Sequence, residues 1–124
     1  MNAMRFLILI VAAACAIAAG DSLVARAPSS AAEKRNPFEG NEHAQRAGAK
    51  LYAHQCASCH GNNREGGKNA PPLIQPEVQK APSGTLFWVL RNGSLHRGMP
   101  SFAHLPEAQR WQIVTYLQSA AIRH

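Results

Sequence analysis

A chain of 124 residues, 46% hydrophobic and only 6% aromatic, has room for one small domain, which excludes a large multidomain enzyme. Thirteen Lys and Arg against seven Asp and Glu leave a net charge of +6, yet no basic cluster stands anywhere, so a nucleic-acid surface is not indicated. Three cysteines exclude a four-cysteine zinc site.

The chain opens with one positive charge at Arg5, an apolar run from Phe6 to Ala19, then small residues and Asp21. That is the order of a secretory signal. The run is 14 residues, short of the roughly 20 that a helix needs to cross the hydrocarbon core. Export with cleavage is expected, with residues 1–20 as the signal and Ala16-Ile17-Ala18 or Ile17-Ala18-Ala19 before the cut. An uncleaved N-terminal anchor is the alternative. "AAAC" at 12–15 resembles the box that precedes the lipidated cysteine of bacterial lipoproteins, although Ala12 stands where leucine usually does. Cys15 is therefore either a lipid site or a small apolar residue in the signal.

Residues 21–40, rich in Ala, Ser and Pro with scattered charge, read as a flexible linker. The folded domain is expected over 41–124. About 84 residues make a core that stabilises only modestly, so something else is expected to contribute.

Cys56-Ala57-Ser58-Cys59-His60 places two thiols and an imidazole within five residues. Zinc would need His54 and His60 beside both thiols, all from one short stretch, whereas structural zinc staples separated segments. A redox disulfide needs a thioredoxin-like α/β setting, and no run of β-branched residues offers a central strand. The third reading is covalent haem c. Each thiol adds across a vinyl group, two intervening residues on a helical turn match the vinyl separation, and His60 follows as an iron ligand. A low-spin electron carrier also needs a sixth ligand, and a soft thioether favours ferrous iron. Met1 and Met4 belong to the signal, which leaves Met99 in "RGMPSF", where Pro100 restricts the backbone.

Three helices are expected. Asn41 caps the first, whose inner face runs Ala44, Gly48, Leu51, Tyr52 and Gln55. Gly48 costs about 1 kcal/mol against alanine, which points to a second backbone packed there. The middle helix covers "SGTLFWVLRNG", capped by Ser83 or Thr85 and ended by Gly93, with residues 86–90 apolar nearly all round. Pro106 at the first position and Glu107 in the first turn start the last helix, with Ile113, Tyr116, Leu117 and Ala120 as its stripe. Trp111 reads as a half-buried surface aromatic.

Gly48 and Tyr52 before Cys56, "APPL" at 70–73, "GMP" at 98–100 and "IVTYL" at 113–117 occur in the order found in the class I c-type cytochromes, and residues 41–124 resemble that family. The resemblance implies an all-α fold, a small cytochrome c of three to five helices wrapped around one covalent haem, with the N- and C-terminal helices crossing at Gly48. It implies Cys56 and Cys59 as attachment points, and His60 and Met99 as axial iron ligands. The Pro71 carbonyl is implied as acceptor of the ligating histidine's Nδ1–H. Leu73 belongs to the same segment, and Trp88 is a candidate donor to a haem propionate through its N–H or else a core residue. His43, His54, His96, His104 and His124 are expected to face solvent, with His96 or His104 able to replace Met99 if its loop opened.

Iron held on both faces leaves no place for substrate, so the expected role is single-electron transfer and not catalysis. A periplasmic chain is the expected setting. The alternatives are a redox subunit of an oxidoreductase complex, or a gas-binding or peroxidatic haem protein with a labile Met99. Expected partners are redox proteins, a terminal oxidase or a periplasmic quinoprotein dehydrogenase. The net +5 from residue 41 onward would steer encounters with an acidic docking surface. No nucleic acid is expected, and membrane contact is expected only through the N-terminus.

Overall fold

The computed structural model describes residues 22–122, with side chains described through residue 120; the expected signal, Cys15 and His124 lie outside these. Six α-helices follow in order: α1 (Leu23–Arg26), α2 (Glu42–Gln55), α3 (Ala57–His60), α4 (Pro76–Gln79), α5 (Ser83–Asn92) and α6 (Glu107–Leu117). Short 3₁₀ turns cover Ser29–Glu33, Leu95–Arg97 and Gln118–Ile122. Three of the six helices are single turns, so the three long ones are those expected. Among the described residues there is no strand, only an isolated antiparallel bridge between Ser94 and Met99.

Asn41 opens α2 by accepting a hydrogen bond from the Ala44 N–H at 3.0 Å, which satisfies one of the first-turn donors. Ala44, Gly48 and Tyr52 are the buried residues of α2, and they face α6. A Cβ on Gly48 would run into the Gln112 carbonyl and lie 2.9 Å from the Tyr116 Cβ. The two helices therefore cross at backbone contact, where no other residue fits. Tyr52 and Tyr116 meet beside the crossing, ring centroids 5.3 Å apart and tilted by 56°. Ile113 and Val114 are fully buried on α6, while Gln55, expected on the inner face of α2, is exposed.

Neither of the other long helices begins as expected, although Gly93 ends the middle one as expected. Pro82 is the residue before α5 and makes no side-chain cap, and the Ser83 hydroxyl instead donates to Gln118 Oε1 at 2.9 Å. Pro106 stands one position before α6, not at its first position. Trp111 is 3% exposed and stacks on Phe87 at 4.0 Å between centroids and 18° between planes. That corrects the expected surface aromatic: the partner comes from α5, which the periodicity of α6 cannot register. Such a stacked pair contributes about 1 kcal/mol beyond its buried area.

Residues 22–40 also differ from the expected flexible linker. They form a strap over α5 and α6. The backbone carbonyls of Ala31 and Lys34 sit so close to Gly84 that a Cβ there would overlap both. Asn36 Nδ2 donates to Thr115 Oγ1 at 2.9 Å, and Lys34 Nζ reaches both Glu107 (3.1 Å) and the face of Phe87 (4.5 Å). Val24 and Phe38 pack against the main core. A polar, proline-rich segment holds still here because its few apolar side chains and its backbone find a prepared surface.

Candidate haem site

α2 stops at Cys56, whose backbone leaves helical geometry at φ −124° and ψ −33°, and α3 starts at once. Cys56 N–H still bonds the Tyr52 carbonyl at 2.9 Å. Its own carbonyl accepts from the N–H groups of Cys59 (3.2 Å) and His60 (3.0 Å). One turn thus carries both thiols and the imidazole. Cys56 is buried, Cys59 exposed, and both are free. Burial, with Cys59 nearby, pushes the Cys56 thiol up to about 11, so it is a neutral S–H at neutral pH.

His60 Nδ1 lies 2.8 Å from the Pro71 carbonyl oxygen. A carbonyl only accepts, so Nδ1 carries the proton and Nε2 keeps its lone pair for a metal. The loop from 61 to 73 that brings Pro71 there is closed by backbone bonds: Gly66 N–H to His60 O at 2.7 Å, Arg64 N–H to Gly61 O at 3.2 Å, and Leu73 N–H to Arg64 O at 2.9 Å. The Tyr52 hydroxyl donates to Gly61 O at 2.7 Å, and burial above all pushes that hydroxyl up to about 12.

Arg64 is the residue that sequence reasoning missed. Its backbone is left-handed at φ +62°, and its side chain is 6% exposed. Nη1 donates to the carbonyls of Tyr116 (2.7 Å) and Leu117 (3.4 Å) and to Ser119 Oγ (3.1 Å), while the guanidinium lies 4.3 Å from the Tyr116 ring centroid. It ties the loop behind His60 to the carboxyl end of α6. A lone arginine in a polar loop gives no sign of this; the flanking "GNN" and "GG" are the nearest hint of a turn tight enough to fold the side chain inward.

Met99 is held by local means. Ser94 N–H donates to Met99 O at 2.8 Å, and Met99 N–H returns to Ser94 O at 3.0 Å. Gly93, at φ +57°, ends α5, and a Cβ there would lie 2.5 Å from the Pro100 carbonyl oxygen. Beyond Met99, Ser101 Oγ donates to Arg91 O at 2.5 Å and Phe102 N–H to Leu90 O at 2.8 Å. Met99, Leu73 and Ala57 are half-buried and pack against the same apolar cluster that contains Cys56, so the structure brings these expected site residues to one core.

Trp88 is half-buried beside Ala31, Lys34 and Gly84, in a shallow cleft under the strap. His43, His54, His96 and His104 are exposed. Among the described residues no three His, Cys, Asp or Glu side chains are grouped to hold a metal ion.

The family described as cytochrome C oxidase, cbb3-type, subunit III matches residues 43–117, from the first turn of α2 to the end of α6. The chain belongs to this family of c-type cytochromes. Among solved structures, it is similar to cytochrome CL from the marine methylotrophic bacterium Methylophaga aminisulfidivorans MPT. The sequences are 25% identical, the TM-score is 0.59, and the match covers 68% of this chain and 58% of that protein. No curated protein matches the sequence.

A cytochrome c domain carries one covalent haem c with its iron, and haem-based electron transfer follows. The donor set here suits that group. A pair of free thiols on one turn, an imidazole whose Nδ1 is already occupied, and a thioether at the edge of the same apolar core are the side chains it needs. No helix among the described residues is long and apolar enough to cross a membrane.

Proposed function

We propose that this chain is a single-electron carrier of an exported, periplasmic chain, with Cys56 and Cys59 as haem attachment points and His60 and Met99 as the axial ligands. The observation that carries the reading is the 2.8 Å bond from His60 Nδ1–H to the Pro71 carbonyl. It fixes the tautomer, orients Nε2 and makes the imidazole a stronger ligand. When bound, the haem supplies a one-electron couple; the chain supplies attachment, orientation and exclusion of water. Cys56 and the apolar cluster around it would help hold the group away from water, and Met99, packed against that cluster, would take the position that a substrate would otherwise occupy. Partners are redox proteins, a terminal oxidase or a periplasmic dehydrogenase.

The test is the absorption spectrum of the haem-loaded protein, oxidised and reduced, followed by carbon monoxide. A sharp low-spin reduced band, a weak far-red sulfur-to-iron band when oxidised, and no response to carbon monoxide are expected. A high-spin spectrum that shifts with carbon monoxide would replace this reading with a gas-binding or peroxidatic one.

One observation favours a second reading. The matching family is described as a subunit of an oxidase, which fits a fixed redox subunit as well as a diffusing shuttle. Co-purification with one large complex distinguishes them.

A further inference from the structure

We propose that Arg64 is a positioning residue for the redox chemistry: a buried cation, without an ion-pair partner among the described residues, whose charge raises the reduction potential of the haem iron. This builds on the electron-carrier reading above. The side chain is 6% exposed, and a charge so placed is costly unless something answers it. What answers it here is neutral. Nη1 meets two carbonyls and one hydroxyl, the guanidinium covers the Tyr116 ring, and Nε is buried without a partner. No ion pair of Arg64 is seen among the described residues, in contrast to Lys34 with Glu107 and Arg46 with Glu42. The carboxyl end of α6, worth about half a negative charge, and the exposed Glu65 carboxylate next in sequence oppose it only in part.

The position of this charge gives it its effect. Arg64 sits in the loop that carries Pro71 to His60, bonded through its own backbone to Gly61 and Leu73. At the Tyr52 hydroxyl, which is bonded to Gly61 and belongs to the same core cluster as Cys56, the Arg64 charge acts more strongly than the opposing Glu65 carboxylate. The guanidinium itself is buried, so its charge is screened less than one at the surface. A positive charge destabilises ferric iron more than ferrous, because the ferric state carries one more positive charge.

A plain staple between loop and helix would make the same hydrogen bonds, and the potential separates the two roles. The measurement is a redox titration of the haem-loaded protein and of its Arg64→Met and Arg64→Lys variants. Arg64→Met is expected to keep the wild-type spectrum while its equilibrium constant for reduction falls about tenfold, about 59 mV for one electron. Arg64→Lys keeps the charge and loses the fork, and is expected to hold most of the wild-type potential despite lower stability. An Arg64→Met protein at the wild-type potential would overturn the proposal, as would Met and Lys variants that shift together. Should Arg64→Met fail to take up haem, Arg64→Gln, neutral but still a donor, is read by the same criteria. A high-spin wild-type spectrum would overturn the ligand reading alone, since the charge-dependent difference between variants is still measured.

Discussion

His60 and Met99 stand at two ends of the site and are secured by different kinds of contact. Behind His60, two side-chain bonds stay near in sequence, Tyr52 to Gly61 and His60 to Pro71, and a third, from Arg64, reaches the end of α6 more than fifty residues away. Around Met99 no bond reaches so far: a reciprocal backbone pair with Ser94, and links from Ser101 and Phe102 back to the last turn of α5. The first set is complete only while the loop behind His60 stays against the end of α6. The second can open while the rest of the core stays packed, since local segments open at less cost than the whole fold. Leu95, 83% exposed in the turn before Met99, shows how little core covers that end.

The difference between the two ends can be broken by substitution. Met99→Ala is expected to have the largest effect on the site and a small one on the fold: the far-red band disappears, carbon monoxide binds and the potential falls, while the helical circular dichroism is kept. Gly48→Ala does the reverse. A methyl at the crossing meets the Gln112 carbonyl, and thermal or urea unfolding is expected to show a loss of about 3 kcal/mol with the ligand spectrum unchanged in the folded protein. Gly93→Ala falls between them. Its positive φ and the Pro100 carbonyl 2.5 Å away predict a loss of about 1–2 kcal/mol, with a weakened far-red band and faster carbon monoxide binding.

The His60 end has its own pH signature. The Tyr52 hydroxyl is raised from 10.0 to about 12, mainly by burial. In the attached protein the Cys56 sulfur is a thioether, so its part of that shift drops out while burial remains. A raised pKa in the folded state means full stability below pH 10 and a loss as the pH climbs towards about 12, because the unfolded chain releases the proton first. Tyr52→Phe is expected to flatten that alkaline fall in urea midpoint, at a cost of about 1 kcal/mol at neutral pH for the lost bond to Gly61. The smallest effect belongs to the strap. Lys34→Ala removes an exposed ion pair that holds the Glu107 carboxyl below the usual range, and only a slight fall in the urea midpoint is expected, vanishing at high salt.

Much of this was legible in the sequence. Asn41, the spacing from Gly48 through Tyr52 to Cys56, and the apolar runs of α5 and α6 each reflect local chemistry, and the helices appear where expected. The Cys-x-x-Cys-His turn lies within five residues, and the His60–Pro71 bond is the one that the family resemblance implies. What escaped reading depends on distant partners. Trp111 is buried because Phe87 stacks on it, the strap is ordered because Gly84 admits its backbone, and Arg64 turns inward because α6 ends within its reach. None of these three residues changes the pattern of its own segment.

The most direct test of the contrast between the two ends is one urea titration of the oxidised, haem-loaded protein, followed at once by the far-red sulfur-to-iron band and by far-ultraviolet circular dichroism. Loss of the far-red band at lower urea than loss of helix is the expected result, with Met99 released while His60 and the crossing of α2 and α6 stay intact. A single coincident transition would contradict it, and would mean that the Met99 loop is bound into the core as firmly as the His60 side.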